Sequence, residues 1–173
     1  MQETRNIIDY YAYWKTDAIK ADLDSKRHNF SVLVTNDFGD FNLGTVIRCA
    51  NAFLAKEVII YGKKQYDRRG TVGTHLYENL KHVKTVEELS FPSDSLIIGI
   101  DNIPEARPIE NYVWNKDIHT ILVFGQEQMG ISPEVKAVCH DFIFIKQYGS
   151  VRSLNVGVAA GIAMYDYMRK LYE

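Results

Sequence analysis

Cysteine is scarce in this chain, and so is any sustained apolar run. Its two cysteines, Cys49 and Cys139, sit in apolar, helix-like surroundings without metal-ligand spacing. That argues against a disulfide framework and suits a reducing compartment; both thiols read as small core residues. The stretch from Met1 to Lys20 is broken by Glu3, Arg5, Asp9, Lys15 and Asp17. Nothing there is apolar enough for a signal peptide or a membrane span, so a cytosolic protein is expected. The sequence lacks a His-Glu-x-x-His helix, a Walker loop and a paired-cysteine site, and no metal is expected. Glycines do not fall in the G-x-G-x-x-G spacing after the first strand-like run, which disfavours a dinucleotide-dependent oxidoreductase. Internal repeats, low-complexity tracts and linkers are absent as well.

What remains is an ordinary globular composition. The 173 residues are 46% hydrophobic and 24% charged, enough for one domain around a continuous core. The formal net charge of −2 gives no sign of a polyanion partner, yet charge acts locally. Between Tyr61 and His82 stand Lys63, Lys64, Arg68, Arg69 and Lys81 against Asp67 and Glu78. This run reads either as a solvated loop or as a patch that steers nucleic acid.

Apolar periodicity lays out the elements. Ile7, Ile8, Tyr11, Trp14, Ile19 and Leu23 predict an amphipathic helix over residues 5–23. Continuous apolar runs predict strands at Phe30–Val34, Glu57–Tyr61, Leu96–Ile100, Thr120–Phe124 and Asp141–Ile145, with a brief one at His82–Lys84. Helices are expected from Leu43, near His75–Lys81, at Ser132-Pro133-Glu134 and from about Leu154 to the end, with a capping-box turn at Thr85–Glu88. Asp101–Asp117, with Pro104 and Pro108, reads as irregular. Strands that are apolar throughout and alternate with helices define an α/β fold: a parallel sheet of about six strands covered on both faces.

Ligands of such sheets bind beyond the carboxyl ends of the strands. Three polar or glycine-rich loops fall there: Thr35–Gly44, Gly125–Gly130 and Lys146–Asn155. In them, Asn42-Leu43-Gly44 with Arg48, then Gly125-x-Glu127-x-x-Gly130, then Ser153-Leu154-Asn155 follow one another in order. Together these resemble the three motifs of the SpoU/TrmH branch of the trefoil-knotted methyltransferases, over roughly residues 30–170. Two positions depart from the pattern. Leu54 stands where the first motif often ends in glycine, and Lys146 follows Ile145 where proline is common.

The resemblance implies a C-terminal segment tucked through a loop as a knot, a homodimer with the target ribose between protomers, and S-adenosylmethionine held bent against the three loops. It implies a cofactor pocket of Gly99, Ile100, Gly125, Ile145, Ser153 and Leu154. It assigns catalysis to Arg48, Asn42, Glu127, Ser153 and Asn155, with Arg48 also on the target phosphate; RNA binding is further expected of the basic run Lys63, Lys64, Arg68 and Arg69 and of Arg152 before the third motif. It divides the chain into an extension, 1–28, and a methyltransferase domain, 29–173.

Read as residues alone, these positions keep plainer roles open. Arg48 lies off the apolar stripe of its helix, in line with Gly44 and Asn51, as a solvated arginine would. Asn42 could cap the helix at Gly44 or Thr45, Glu127 could be an ordinary loop carboxylate, and Ser153 could cap the last helix with Asn155 in its first turn. That helix is apolar nearly all round until Asp166, so it must be covered on every side, by the domain or a second protomer. The function implied by the resemblance is methyl transfer to a ribose 2′-hydroxyl of RNA. The Asp67–Thr74 run and Val151-Arg152 look most like members that modify a D-loop guanosine of tRNA. The alternative is a catalytically silent RNA-binding module on the same fold.

Overall fold

The computed structural model describes residues 5–37, 41–126 and 129–173. Seven strands form one parallel sheet: β1 (Phe30–Asn36), β2 (Val58–Gly62), β3 (Leu80–Val83), β4 (Leu96–Ile100), β5 (Arg107–Pro108), β6 (Thr120–Phe124) and β7 (Asp141–Phe144). Their order is β3-β2-β1-β6-β4-β7-β5. The helices are α1 (Thr16–Asp24), α2 (Phe41–Ala52), α3 (Pro133–Lys136) and α4 (Val156–Tyr172), with several 3-10 turns between.

Alternate side chains of each strand build two apolar layers, because successive residues point to opposite faces. Val32, Val34, Ile60, Ile98, Leu122 and Phe124 pack under α2 and α4. Leu33, Ile59, Ile121 and Val123 pack on the other face against Ile131, Val135 of α3 and Val86. Every residue of β1 is buried, as expected for a central strand covered on both sides. The register levels the carboxyl ends: Phe124 pairs with both Val34 and Ile100, and Ile100 with Ile143. The segments leaving β1, β4, β6 and β7 therefore emerge side by side.

Several expectations need correction. The seventh strand is Arg107–Pro108, inside the stretch read as irregular; it pairs with β7 alone, an edge position where proline's missing N–H costs nothing. The helix expected over 5–23 is split: a 3-10 turn covers Asp9–Tyr11, Tyr13 takes a φ of 74°, and α1 begins only at Thr16. The break lets Tyr11 join Ile19, Leu23 and Tyr77 in one small cluster. The helix expected near His75–Lys81 is a pair of 3-10 turns, Arg68–Thr71 and Thr74–Leu76, and the third strand starts at Leu80 rather than His82. The helix expected from Leu43 starts at Phe41, and α4 starts at Val156 rather than Leu154.

Leu54 explains its own departure from the motif. It follows α2 with a φ of 54°, while the Ala55 N–H reaches back to the Ala50 carbonyl at 2.9 Å. This is a left-handed helix stop, the conformation in which glycine carries no Cβ penalty. Leucine is held there by the Tyr11–Tyr77 cluster it packs against.

The N-terminal segment is clipped to the body by a buried ion pair. Arg27 and Glu78 side chains are 4% and 0% exposed and meet at 3.0 Å. Arg27 also donates to the carbonyls of Ala55 and Tyr77, and Asn51 Nδ2 donates to Glu78 Oε1 at 2.7 Å. Burial nonetheless holds the Glu78 carboxyl above the ordinary range, outweighing Arg27 and Asn51. A carboxyl with a raised folded-state pKa binds its proton more tightly folded than unfolded. Its contribution to stability is full at low pH and falls as pH climbs from the ordinary carboxylate value to the raised one. Arg27→Met leaves a buried carboxylate without its counter-ion and is expected to cost ~3–5 kcal/mol near neutral pH. The loss shrinks in acid, where Glu78 takes up a proton; urea unfolding of both proteins at pH 7.5 and pH 5 measures the difference.

Candidate active site

A cleft of about 400 Å³ opens at the carboxyl ends of β4, β6 and β7. Its walls include Ile100, Ile103, Phe124, Ile145, Leu154 and Val156, with polar groups from Asp101, Gln126, Lys136, Gln147, Arg152 and Ser153. The size and the mix of apolar walls with a few polar groups are those of a small-molecule site.

Each wall is set by local geometry. Gln126 and Gly130 exchange two backbone hydrogen bonds of 3.0 and 2.9 Å, which sets Gly130 against the end of β6. A Cβ on Gly125 would overlap the Gly130 backbone, so only glycine allows this approach. Gly130 itself has a φ of 66° and lies against the Asp101 carboxylate, and Asp101 pairs with Lys136 of α3 at 3.0 Å. Opposite, Asn102 Nδ2 donates to the Arg152 carbonyl at 3.3 Å, tying the segment after β4 to the one after β7.

The third wall depends on Asn155. Its Oδ1 accepts from the N–H groups of Gly157 and Val158, capping α4, while its Nδ2 donates to Asn42 Oδ1 at 2.8 Å. The cap is thus Asn155, not Ser153, and Asn42 sits in the first turn of α2 rather than ahead of it. Gly157 permits the contact between the two helices: a Cβ there would come within 2.7 Å of the Thr45 side chain.

Of the six expected cofactor residues, Ile100, Gly125, Ile145, Ser153 and Leu154 line the cleft. Gly99 does not; it is buried below, where a Cβ would run into the Phe142 ring. Arg152, expected on the RNA side, is exposed and also lines the cleft. Glu127 lies outside the described residues. Arg48 is exposed on the outer face of α2, away from the cleft lining. One helical turn before it, Gly44 packs against Gly70, a Cβ there falling 2.8 Å from the Gly70 Cα. The Arg68–Thr71 turn therefore sits beside the Arg48 face. Asn36 Nδ2 donates to the carbonyls of Lys63 and Gln65, anchoring the rest of the basic loop to the end of β1. Lys63, Lys64, Arg68 and Arg69 are all exposed, but Arg69 is bound by Asp67 at 2.5 Å and Lys81 by Glu57 at 3.4 Å.

Asp101, Lys136 and Gln147 escaped the sequence reading. Asp101 directly follows an apolar strand and Gln147 lies in a glycine-bearing loop after another, so both were open to the strand-end rule. Lys136 carried no signal. Burial pushes the Cys139 thiol up to about 12 and raises Cys49 as well, although Lys136 and Arg48 oppose the shifts. Neither is poised as a thiolate nucleophile. Among the described residues no group of His, Cys, Asp and Glu side chains could hold a metal ion, and no helix is long and apolar enough to cross a membrane.

Comparison with known proteins agrees with this arrangement. The profile of the SpoU rRNA Methylase family matches residues 29–165, and the chain belongs to that family. A Staphylococcus aureus protein assigned to the TrmH family of tRNA/rRNA methyltransferases is 28% identical over 179 residues, 96% of this chain and 70% of its own length. The tRNA (guanosine(18)-2′-O)-methyltransferase of Aquifex aeolicus is 28% identical over 158 residues, 87% of this chain and 74% of that one. The crystal structure of the Aquifex aeolicus TrmH/SpoU tRNA modifying enzyme superposes with a TM-score of 0.76 at 26% identity, over 90% of this chain and 81% of that chain. The methyltransferase AviRb of Streptomyces viridochromogenes, solved with AdoMet, shares the fold at a TM-score of 0.72 and 24% identity, over 83% of this chain and 58% of its own.

Asn155 has two separable duties, a cap and a link to Asn42. Asn155→Ala is expected to lose ~1 kcal/mol of stability. Asn155→Ser keeps a capping oxygen and is expected to recover most of it without restoring the link. Denaturant melts of the two variants check the cap, and the distance between α2 and α4 in a crystal of the Ser variant checks the link.

Proposed function

We propose that this chain transfers the methyl group of S-adenosylmethionine to a ribose 2′-hydroxyl of RNA, with tRNA as the RNA and a D-loop guanosine as the target. The observation that carries this reading is the junction of Asn42 with Asn155 beside an apolar cleft, in a chain of the SpoU family. The choice of tRNA guanosine leans on the Aquifex aeolicus relative, whose name specifies it.

The residues present fit the cofactor. Ile100, Ile145, Leu154 and Val156 offer apolar walls to a purine, and Gln147 brings to the cleft a carboxamide whose buried Oε1 has no partner. When bound, S-adenosylmethionine supplies an electrophilic methyl on a positive sulfur. The chain's own residues do the rest. Arg48 faces outward beside the basic turn and away from the cleft of its own protomer, so the phosphate and target ribose it meets are those held between protomers in the proposed dimer. Its pKa in solution makes it a poor base, so its role is to stabilise negative charge growing on the 2′-oxygen. Ser153 and the capped start of α4 form the lip of the cleft, Asn42 fixes that lip to α2, and Glu127 is assigned to orient this junction. Lys63, Lys64 and Arg68 hold the RNA backbone, and Arg152 stands at the rim between the cleft and the RNA.

Assembly follows the same reading. Residues 29–173 are the methyltransferase domain and 1–28 an extension. The chain acts in the cytosol without a metal, and its C-terminal segment is threaded as a knot, supported by the insertion of β7 between β4 and β5. A two-fold dimer covers the outer stripe of α4, Val158, Ile162 and Tyr165. Met164 is fully buried in the domain core, so it does not serve that contact. Tyr165→Glu, at a side chain 51% exposed, is expected to give folded monomers in sedimentation at micromolar concentration. A wild-type chain that is itself monomeric there contradicts the dimer.

The decisive experiment is transfer of radiolabelled methyl to unmodified tRNA, followed by mapping of the nucleotide. Tight RNA binding with no transfer would favour the silent module. Arg48→Ala is expected to lower single-turnover transfer roughly 100-fold with cofactor affinity unchanged, and Arg48→Lys to recover little, because an ammonium lacks the planar two-pronged grip. Arg68→Ala is expected to weaken RNA binding and flatten its salt dependence. Arg69→Ala is expected to do less, since Asp67 already holds that guanidinium.

A further inference from the structure

Gln147 lines the cleft half-buried, and its Oε1 is closed to solvent without a hydrogen-bond partner among the described residues. Buried polar atoms are rarely left this way; an exception calls for a reason, and a ligand-facing role is one. Several other polar side chains of the site are engaged. Asp101 is paired with Lys136, Asn102 donates to Arg152, and Asn155 is shared between its cap and Asn42. The apolar side chains that line the cleft with Gln147, among them Ile145 and Leu154, suit the face of a flat ring rather than a charged group.

Resting on the reading of this cleft as the S-adenosylmethionine site, we infer that Gln147 is the residue that selects adenine, its Oε1 accepting a hydrogen bond from the 6-amino group. A carboxamide sets an acceptor and a donor side by side in one plane. Adenine presents the complementary pair, an amino N–H beside a ring nitrogen, and this is how glutamine and asparagine read adenine in nucleic acids. The apolar walls grip any purine; the amide tells an amino purine from one without the amino group. Gln147 is thus a specificity residue for the cofactor and takes no part in methyl transfer.

Two ligands and two proteins test this by calorimetry in the absence of RNA. The ligands are S-adenosylhomocysteine and its analogue with hydrogen in place of the 6-amino group. Wild type is expected to prefer the amino ligand about tenfold. Gln147→Met keeps the length of the side chain and removes both polar atoms. It is expected to bind the two ligands alike, with the affinity wild type shows for the analogue. Retained affinity for the analogue also proves the variant folded, and Gln147→Leu is expected to behave in the same way. A Met variant that keeps the wild-type preference overturns the proposal, as does a wild type that binds the two ligands equally. If wild type binds neither ligand, the cofactor reading falls first and this inference with it.

Discussion

Two side-chain amides 113 residues apart in sequence meet where α2 and α4 begin, with Asn155 Nδ2 donating to Asn42 Oδ1 at 2.8 Å. The rest of the site depends on this contact, because it fixes the start of α4 and hence Ser153, Leu154 and Val156 on one wall of the cleft. The contact is possible only because the helices approach closely at Gly157 and Thr45. The same asparagine caps α4 with its other amide atom. One residue therefore satisfies orphan backbone donors and locks the tertiary arrangement, and a hydrogen bond between neutral groups worth ~1 kcal/mol gains its effect from position rather than strength.

The sheet supplies the other constraint. All seven strands run parallel, and the pairings that align Phe124 with Val34 on one side and Ile100 on the other bring four strand ends level. In open sheets of this kind the usual crevice lies where the strand order reverses, here between β1 and β6. The cleft lies one step over, on β4, β6 and β7. The reason is local: Gly130, paired with Gln126, lies against the end of β6, and Lys136 reaches from α3 to Asp101 on the β4 side.

How far the sequence disclosed this varied with the kind of signal. The five long apolar runs named strands correctly because buried parallel strands need no alternation. The Arg107–Pro108 strand was hidden because two residues, one a proline, make no periodic pattern; only pairing with β7 defines it. The opening helix misled because Tyr11, Ile19 and Leu23 do share one cluster, while the turn at Tyr13 that brings them together leaves no mark in a stripe of apolar residues. At the site, Asn42 and Asn155 are visible in the sequence as motif residues and as helix-start asparagines, each able to serve its own helix. Their mutual bond is a three-dimensional fact. Lys136 is illegible as a site residue for the same reason, since nothing in its flanking sequence distinguishes it from a solvated side chain, whereas Gln147 shares the strand-end loop of the third motif but no rule singles it out there.

The electrostatics follow a similar logic of position over total. A chain of net charge −2 is a poor candidate for a polyanion on average. The structure sorts its charges, though. The N-terminal region consumes cations in ion pairs: Lys20 with Asp24, Lys26 with Asp22, Arg27 with Glu78. Arg169 and Lys170 are drawn to Asp166, whose buried carboxylate also accepts from the Trp114 indole. Arg48 and Arg68, by contrast, stand exposed with no ion pair among the described residues, brought to one flank by the packing of the Arg68–Thr71 turn against Gly44. A polyanion approaching within a Debye length, about 10 Å at 0.1 M salt, feels that flank more than the balanced remainder. Under the proposed function, separating the basic surface from the apolar cleft divides the labour: the cleft desolvates a small ligand while the flank holds a large charged one in water. The junction of Asn42 and Asn155 is where the two surfaces meet.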